Sequence, residues 1–446
     1  MIDQILFRIK TYIPRRLFLF FQPAYHFCLS FFAALFYGFP SRRLFVIGVT
    51  GTKGKTTVVE LLHALLEESG APVASLSSLR FRIGNHEARN ERHMTLPGRF
   101  FVQRFLYDAS RAGCRYAVLE VTSEGIKQYR HRFIDFDAAV MTNISPEHIE
   151  SHGSFEKYLR AKLDLFWRLC PGAIAVIRSQ DPNCHRFSAA TAAEKVYYSL
   201  GDIMVRDRRW GVRNIEVDEG GIRFQIDDIG FSSLLLGDFN VENILAAVAF
   251  GLARHMSLEK IAAGIFRTRA IPGRMEYIPA SVKTSAGEQK EFVVVVDYAH
   301  TPESLRRVYE AVRPYHASII CVLGAAGGGR DTWKRPEFGK IAAEHCNEII
   351  LTNEDPYDEN PAAILDEIEA GFSKIKSPKP RAQKILDRRE AIRRALALSK
   401  PGDAVVITGK GAEPYIMGPK HTKIPWDDRA VVREELVRMR QEATSG

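Results

Sequence analysis

The clearest pattern in the chain is an apolar run over residues 44–49, Leu-Phe-Val-Ile-Gly-Val, then a Gly-rich turn, then Leu61, Leu62, Leu65 and Leu66 at helical spacing. A short run that is apolar throughout reads as a strand buried on both faces, and the leucine spacing predicts a helix over about residues 56–68. Residues 116–121 and 138–142 repeat the buried-strand pattern, and residues 155–170 repeat the helical one. Such strands separated by helices imply a largely parallel, covered sheet. Residues 203–236 differ: short alternating runs such as Ile222-Arg223-Phe224-Gln225-Ile226 sit among Asp and Gly turns, which predicts a small antiparallel β element. A helix is expected over about 241–256, and Pro272-Gly273 marks a break. Beyond it the alternation resumes, with strands at 293–296, 319–323, 349–352 and 404–408 and a helix at 302–312. The expected fold class is α/β: a hydrophobic helical segment (1–43), a central domain with a phosphate loop, a mostly parallel sheet and the small antiparallel element (44–272), and a Rossmann-like C-terminal domain (273–446).

The first of these parts breaks the pattern. Residues 17–39 carry no charge and are rich in Phe and Leu, while Arg8, Lys10, Arg15 and Arg16 precede them and Arg42 and Arg43 follow. Three readings stand: helices lying on a membrane or packed on the protein, a membrane span, and a signal-like or oligomer-contact segment. Pro23, Gln22, His26 and Ser30 interrupt a span, and basic residues on both sides give it no orientation. Peripheral membrane contact through residues 1–40 is expected, on a protein in the cytoplasm or at the inner face of its membrane.

At 446 residues the chain is long enough for two or three domains. Its net charge of 62 − 53 = +9 suits anionic small molecules. Basic and acidic residues are interspersed, and no aromatic and basic interleaving of the RNA-binding type occurs, so no nucleic-acid partner is expected. The six cysteines form no Cys-x-x-Cys pair, which argues against a zinc ribbon or a disulfide framework and for reduced, mostly buried thiols.

The strongest chemical signal is the turn from Gly48 to Thr57. Glycines let successive backbone N–H groups face one concavity, the following helix N-terminus adds positive potential, and Lys55 supplies a charge for β- and γ-phosphates. Thr56 is placed to ligate Mg²⁺. The glycine spacing departs from the strict Walker form. A Gly-rich turn can also bind nothing, but between a clean strand and a clean helix the phosphate reading is favoured. Glu120 ends a buried strand, where an α/β sheet places its ligands; taken alone it could form a strand-end salt bridge. His148 alone would be a loop histidine, Lys162 a solvated helix residue and Asn240 a helix cap.

In chain order these segments carry a resemblance. Residues 50–57, Thr-Gly-Thr-Lys-Gly-Lys-Thr-Thr, resemble the nucleotide loop of the Mur ligase family, with Lys53 where Asn is usual; folylpolyglutamate synthetases share a related loop. Residues 119–125 resemble the acceptor segment of MurE-type ligases, with Glu124 where His is usual. Residues 142–148 and 158–162 resemble its metal and lysine elements, residues 237–243 a helix start, and residues 271–276, 296–302 and 327–336 the opening of its second domain. Residues 353–357, 409–413 and 426–429 stand where the family handles the incoming amino acid, with Asp355, Tyr357 and Ala412 replacing Asn, Arg and His.

The resemblance implies an ATP-dependent ligase, ADP-forming, that joins a peptidoglycan-precursor carboxylate to an amino acid through an acyl phosphate. It implies ATP contacts from Gly51, Thr52, Lys53, Gly54, Lys55, Thr56, Thr57 and Asn243, and from Arg274, Asp297, His300 and Arg330 of a second domain that would close over the nucleotide. It implies Mg²⁺ held by Thr56, Glu120, His148 and a carbamylated Lys162, with Lys55, Glu120, His148 and Lys162 as the catalytic set. Acceptor and donor would be held by Thr95, Ser123, Gln128, Arg130, Asp355, Tyr357, Gly409 and Glu413. Without the Arg at 357 the usual bidentate grip on a distal carboxylate is lost, so the donor stays open between lysine, diaminopimelate and another amino acid. Family members of this type carry a further domain before the nucleotide loop, where this sequence has fewer than fifty residues, so the expected acceptor is UDP-MurNAc-L-Ala-D-Glu or a related glycopeptide. The alternatives are a folylpolyglutamate synthetase-like or other Mur-like ligase, and a membrane-associated binding protein with a decayed site. A P-loop GTPase or kinase is disfavoured because no Asn-Lys-x-Asp sequence occurs.

Overall fold

The computed structural model describes residues 15–92, 94–147, 149–283, 289–329, 331–374 and 381–445. It divides into two compact units: Met1–Arg213, Gln225–Phe231 and Glu242–Arg267 in the first, Asn214–Phe224, Ser232–Val241 and Thr268–Gly446 in the second.

The first sheet is built on β1 (Phe45–Thr50), β2 (Val73–Leu76), β3 (Arg80–Ile83), β4 (His86–Arg89), β5 (Tyr116–Glu120), β6 (Ala138–Met141), β7 (Ile174–Arg178), β8 (Glu194–Tyr198), β9 (Asp202–Val205), β10 (Arg208–Asp218), β11 (Gly221–Ile226) and β12 (Ile229–Ser233). Its order is β12-β11-β10-β9-β8-β7-β6-β1-β5-β2-β3-β4. From β8 to β2 every pairing is parallel, and antiparallel strands extend both ends. The apolar runs read as buried strands are buried, with β5 and β6 covered at every residue. The alternating stretch 203–236 forms the expected antiparallel strands. Its strands continue the same sheet edge to edge, because β9 pairs with β8 and their unpaired backbone groups are thereby satisfied.

Among the helices packed with this sheet are α1 (Arg15–Phe36), α2 (Lys55–Glu67), α3 (Arg99–Arg111), α4 (Ser123–Lys127), α5 (Phe155–Trp167), α6 (Phe239–Ala253) and α7 (Leu258–Arg267). α1 is one helix running through Pro23. Among the described residues no helix is long and apolar enough to cross a membrane, so the span reading is dropped. Asn240 is not a cap: it lies inside the first turn of α6 and donates to Leu236 O at 2.7 Å.

The second unit carries β13 (Glu276–Lys283), β14 (Gln289–Asp297), β15 (Ile319–Leu323), β16 (Glu348–Leu351), β17 (Arg381–Lys384) and β18 (Ala404–Thr408) in the order β13-β14-β18-β15-β16-β17. All pairings are parallel except β13 with β14. The helix at Pro302–Val312 starts where a Thr301–Ser304 capping box and Pro302 at its first position set it. All six cysteines are free; Cys114, Cys321 and Cys346 are buried, but Cys28 and Cys170 are exposed, so burial is less general than expected.

Candidate active site

In the first unit β1 is central, with β5 on one side and β6 on the other. The loops leaving the C-terminal ends of these three neighbours therefore meet, and each carries residues singled out from sequence. After β1 the backbone turns at Gly54 with φ +81°, where a Cβ would meet the Asn243 side chain at 2.1 Å. Only glycine fits there, and Asn243 is thus placed against the loop as expected. Gly54 caps α2 without a side-chain oxygen, and the first turn holds no acidic residue. An anion can therefore take that position.

The loop is fixed from β6. Asn143 O accepts from Thr52 N at 2.7 Å, and Asn143 Oδ1 accepts from Lys53 N at 2.9 Å. Thr142 Oγ1 donates to Lys53 O at 2.6 Å. Thr52 Oγ1 and the Tyr158 hydroxyl are 2.9 Å apart. Lys53 Nζ lies 2.7 Å from Glu147 Oε1, an ion pair that the asparagine usual at position 53 could not make. Asn143, Glu147 and Tyr158 were missed as site residues, because their contacts with the loop span roughly a hundred residues.

Lys55 Nζ folds back on its own loop, 3.0 Å from Gly51 O and 2.8 Å from Thr52 O. Lys162, on α5, is fully buried, donates to Gly51 O at 2.6 Å and lies 4.7 Å over the Tyr158 ring. Burial, then the charges of Lys55 and Lys53, push its pKa well below the ordinary lysine value. It is a neutral amine far more readily than a surface lysine is.

At the end of β5, Glu120 is buried. Its Oε2 accepts from Thr56 Oγ1 at 3.0 Å and from Ser78 N at 2.9 Å. A hydroxyl and a carboxylate side by side are the hard oxygen donors that Mg²⁺ takes, with waters and phosphate completing its octahedron. No cation pairs with Glu120 among the described residues, so the donor set fits the ion. His148 and Arg330 lie outside the described residues. Among the described residues no group of three His, Cys, Asp or Glu gathers as a metal cage.

Beyond Glu120, Thr122 caps α4 and places Ser123, whose hydroxyl lies 3.2 Å from His152 Nε2. His152 is also 3.3 Å from Glu124. An imidazole thus stands beside Ser123 although Glu124 replaces the expected histidine. Arg130 donates to Gln128 Oε1 at 2.7 Å and to Leu96 O at 2.5 Å, which brings it beside Thr95. A pocket of about 520 Å³ opens next to this segment, lined by Lys127, Tyr129, Arg132, His152, Lys157 and Arg160 among others. Its charge is predominantly positive.

In the second unit the same sheet logic holds. The ends of β14, β18 and β16 bring Asp297, Gly409 and Asp355 together. Asp297 accepts from Met275 N and Ala299 N, each at 2.7 Å. The Arg274 guanidinium lies 4.5 Å over the Tyr298 ring, and His300 packs on the same tyrosine at 4.5 Å between ring centroids. Tyr298 donates to Glu413 Oε1 at 2.9 Å. Lys410, fully buried, reaches Asp355 at 2.8 and 2.9 Å and Glu413 at 2.6 Å. Gly409, at φ +106°, leaves room for Glu354, whose carboxylate a Cβ there would meet at 2.3 Å. Burial, then the neighbouring Asp355 charge, raises the Glu354 pKa to about 7. Lys410 and Glu354 were not singled out from sequence. Tyr357, at φ +51°, is tied by its N–H to Met417 O at 3.1 Å.

Family models match twice: the Mur ligase middle domain over residues 49–251 and the Mur ligase glutamate ligase domain over residues 273–411. A UDP-N-acetylmuramoyl-L-alanyl-D-glutamate–2,6-diaminopimelate ligase of Gloeobacter violaceus is 40% identical over 412 residues, 92% of this chain and 80% of the relative. The chain belongs to the Mur ligase family. A UDP-N-acetylmuramyl-tripeptide synthetase of Roseiflexus is 37% identical over 430 residues, 91% of this chain and 81% of the relative. A solved diaminopimelate ligase of the same description superposes with a TM-score of 0.60 at 29% identity, covering 89% of this chain and 78% of that one. The folylpolyglutamate synthase of Mycobacterium tuberculosis, at TM-score 0.65 and 18% identity over 84% of this chain and 90% of that one, shares the fold. As a Mur ligase the chain is an ATP-dependent amide-bond ligase. The phosphate loop, Glu120, Lys162 and Asn243 fall inside the first matched stretch, and Arg274, Asp355 and Gly409 inside the second.

Proposed function

We propose that this Mur ligase lengthens a peptidoglycan-precursor dipeptide by one amino acid, with UDP-MurNAc-L-Ala-D-Glu or a related glycopeptide as acceptor. A terminal carboxylate oxygen of the acceptor attacks the γ-phosphorus of ATP, and ADP leaves. The amine then attacks the acyl carbon, phosphate departs with the C–O electron pair, and the new amide loses a proton. The observation that carries this reading is the buried Thr56–Glu120 pair beside the Lys55 loop, with Lys162 on the carbonyl of the same loop.

Each residue then has a task. Lys55, with the backbone of 51–57 and Asn243, holds the phosphates. Thr56 and Glu120, with His148, would hold Mg²⁺, which neutralises phosphate charge when bound. Lys162 is assigned to carbamylation: a neutral amine adds CO₂ and loses a proton, which turns the cation into an anion near the metal. Its depressed pKa supports this. Thr95, Ser123, Gln128 and Arg130 would hold the acceptor, and the cation-lined pocket beside them suits its anionic part. Arg274, Asp297, His300 and Arg330 are assigned to the nucleotide side, Asp297 by fixing Met275 and Ala299. Glu413, Asp355, Gly409 and Tyr357 are assigned to the amine donor, with Glu413 nearest in chemistry to an ammonium. The three-part division 1–43, 44–272 and 273–446 is carried with this reading, as are a cytoplasmic setting and peripheral membrane contact through residues 1–40.

The test is ADP release from ATP and Mg²⁺ with UDP-MurNAc-L-Ala-D-Glu, screening single amino acids including lysine and diaminopimelate. Release that needs both acceptor and one amino acid supports the reading. Folded, ATP-binding protein that releases ADP with no combination sinks it.

A further inference from the structure

α1 is amphipathic the wrong way round for a helix that ends at water. Its inner side carries the polar and small residues: Ser30, Ala33 and Ala34 are buried, and Ser30 Oγ donates to Tyr129 O at 2.7 Å. Its outer side carries Phe27, Phe31, Phe32, Leu35 and Phe36, all exposed, with Phe32 at 56% and Phe36 at 75%. At 100° per residue this outer side covers roughly half the circumference. It bears no charged residue, since residues 17–41 contain none. Phe100 of α3, exposed and 6.4 Å from Phe36, widens it. Single exposed phenylalanines are ordinary; a contiguous aromatic face is the mark of a surface that another phase covers.

The charges around this face indicate which phase. In the sequence Arg8, Lys10, Arg15, Arg16, Arg42 and Arg43 flank residues 17–41 against one acid, Asp3, and among the described residues Arg42 also reaches Asp135 at 3.4 Å in an exposed pair. Arg42 stacks 4.8 Å from the Phe39 ring, which in turn packs on Phe31. Arg43 is exposed. A second copy meeting the same face about a two-fold axis would bring these cations against each other. An anionic bilayer would meet both the rings and the cations. We propose that the outer face of α1 is a docking surface for an anionic lipid bilayer, with the helix lying in the plane of the interface.

The inner face of the same helix holds the acceptor segment. Ser30 fixes Tyr129, and Arg99 joins His26 to Gln128 O, each at 2.5 Å. Docking would therefore set the segment carrying Gln128 and Arg130 about one helix diameter, ~10 Å, from the headgroups. The proposal deepens the ligase reading and rests on it only for that meaning of the segment.

The test is co-sedimentation of the full chain with phosphatidylcholine vesicles containing about a third phosphatidylglycerol, against pure phosphatidylcholine. The expected result is binding to the anionic vesicles that falls about tenfold or more in Phe32→Ser/Phe36→Ser. A few-fold loss is expected in Arg43→Glu and at high salt. Unchanged circular dichroism of each variant assures folding; Phe32 and Phe36 are exposed, so their loss leaves the core intact. No recruitment to either vesicle overturns the proposal, as does binding that ignores the phenylalanine pair or lipid charge. A dimer that the same pair converts to monomer, without vesicle binding, assigns the face to a second copy and also overturns it. ADP release in vesicle-free solution separates the two readings. A live ligase that ignores vesicles sinks this one alone, and a silent chain that binds them sinks the ligase alone.

Discussion

Two lysines are fully buried among the described residues, and their surroundings give them opposite characters. Lys162 in the first unit meets a carbonyl oxygen and an aromatic ring, with two further lysines nearby, and its pKa is driven down. Lys410 in the second is equally out of solvent, yet Glu413 and Asp355 outweigh the burial and its pKa is raised. Burial alone therefore does not decide what a lysine is for. The first is readily a neutral amine, the state the proposed carbamylation needs, whereas the second is a fixed cation held by two carboxylates.

The largest effects should come from removing the charges around the phosphate loop. Lys55→Ala and Lys162→Ala should each lower kcat by about a thousandfold or more, the first by removing the proposed cation at the phosphates and the second the proposed carbamate anion near the metal. Added acetate or another short carboxylate should restore part of the Lys162→Ala rate and none of the Lys55→Ala rate. Equal rescue of both, measured by ADP release, would remove the carbamate assignment.

Stability should separate the two lysines in the opposite order. Lys410→Met strands Asp355 and Glu413 and should cost about 3–5 kcal/mol. Lys162→Met, compared with the uncarbamylated enzyme in CO₂-free buffer, replaces a neutral amine with an isosteric apolar chain and should cost about 1 kcal/mol or less. Urea unfolding at neutral pH reads both. The Arg388–Asp428 pair, fully buried with bonds of 2.8 and 2.7 Å, should resemble Lys410 on breaking.

Glu354 sharpens the comparison through pH. Its folded pKa of about 7 lies above its usual value of 4.5. The folded state therefore holds a proton that the unfolded chain has released, and this site loses stability as pH rises from about 4.5 to 7. The loss should reach at most ~3 kcal/mol. Glu354→Gln should lack that loss, so the difference between variant and wild type in urea should grow across this window and flatten above it. The smallest effect belongs to His152. His152→Gln should raise the acceptor KM about fivefold with kcat little changed, the worth of one hydrogen bond to Ser123.

The phosphate loop was legible because its physics is local. A glycine with positive φ, a lysine and a helix start lie within ten residues, and β1 and α2 fell within a residue of their expected bounds. Glu120 was legible for a similar reason, as the last residue of an apolar strand. Asn143, Glu147 and Tyr158 were not, although they lie in motif segments, because their own contacts are with the loop after β1; they become site residues only when β6 and α5 come to lie beside β1. The cap reading of Asn240 missed the helix start by two positions. α6 begins at Phe239, which draws Asn240 into its first turn, and what the sequence did not show of the antiparallel strands is that β9 pairs with β8 and continues the first sheet.

The sequence by itself determined where strands and helices alternate, which residue types stand at strand ends, and the order of motifs that marks the family, because hydrophobic period and turn chemistry are written in consecutive residues. The tertiary structure alone decided that Lys162 touches Gly51 across 111 positions, that His152 stands beside Ser123, and that Lys410 is held by two carboxylates. It also decided that α1 turns its phenylalanines outward. Charge state and exposure depend on what surrounds a side chain, and those surroundings are assembled only when distant segments pack.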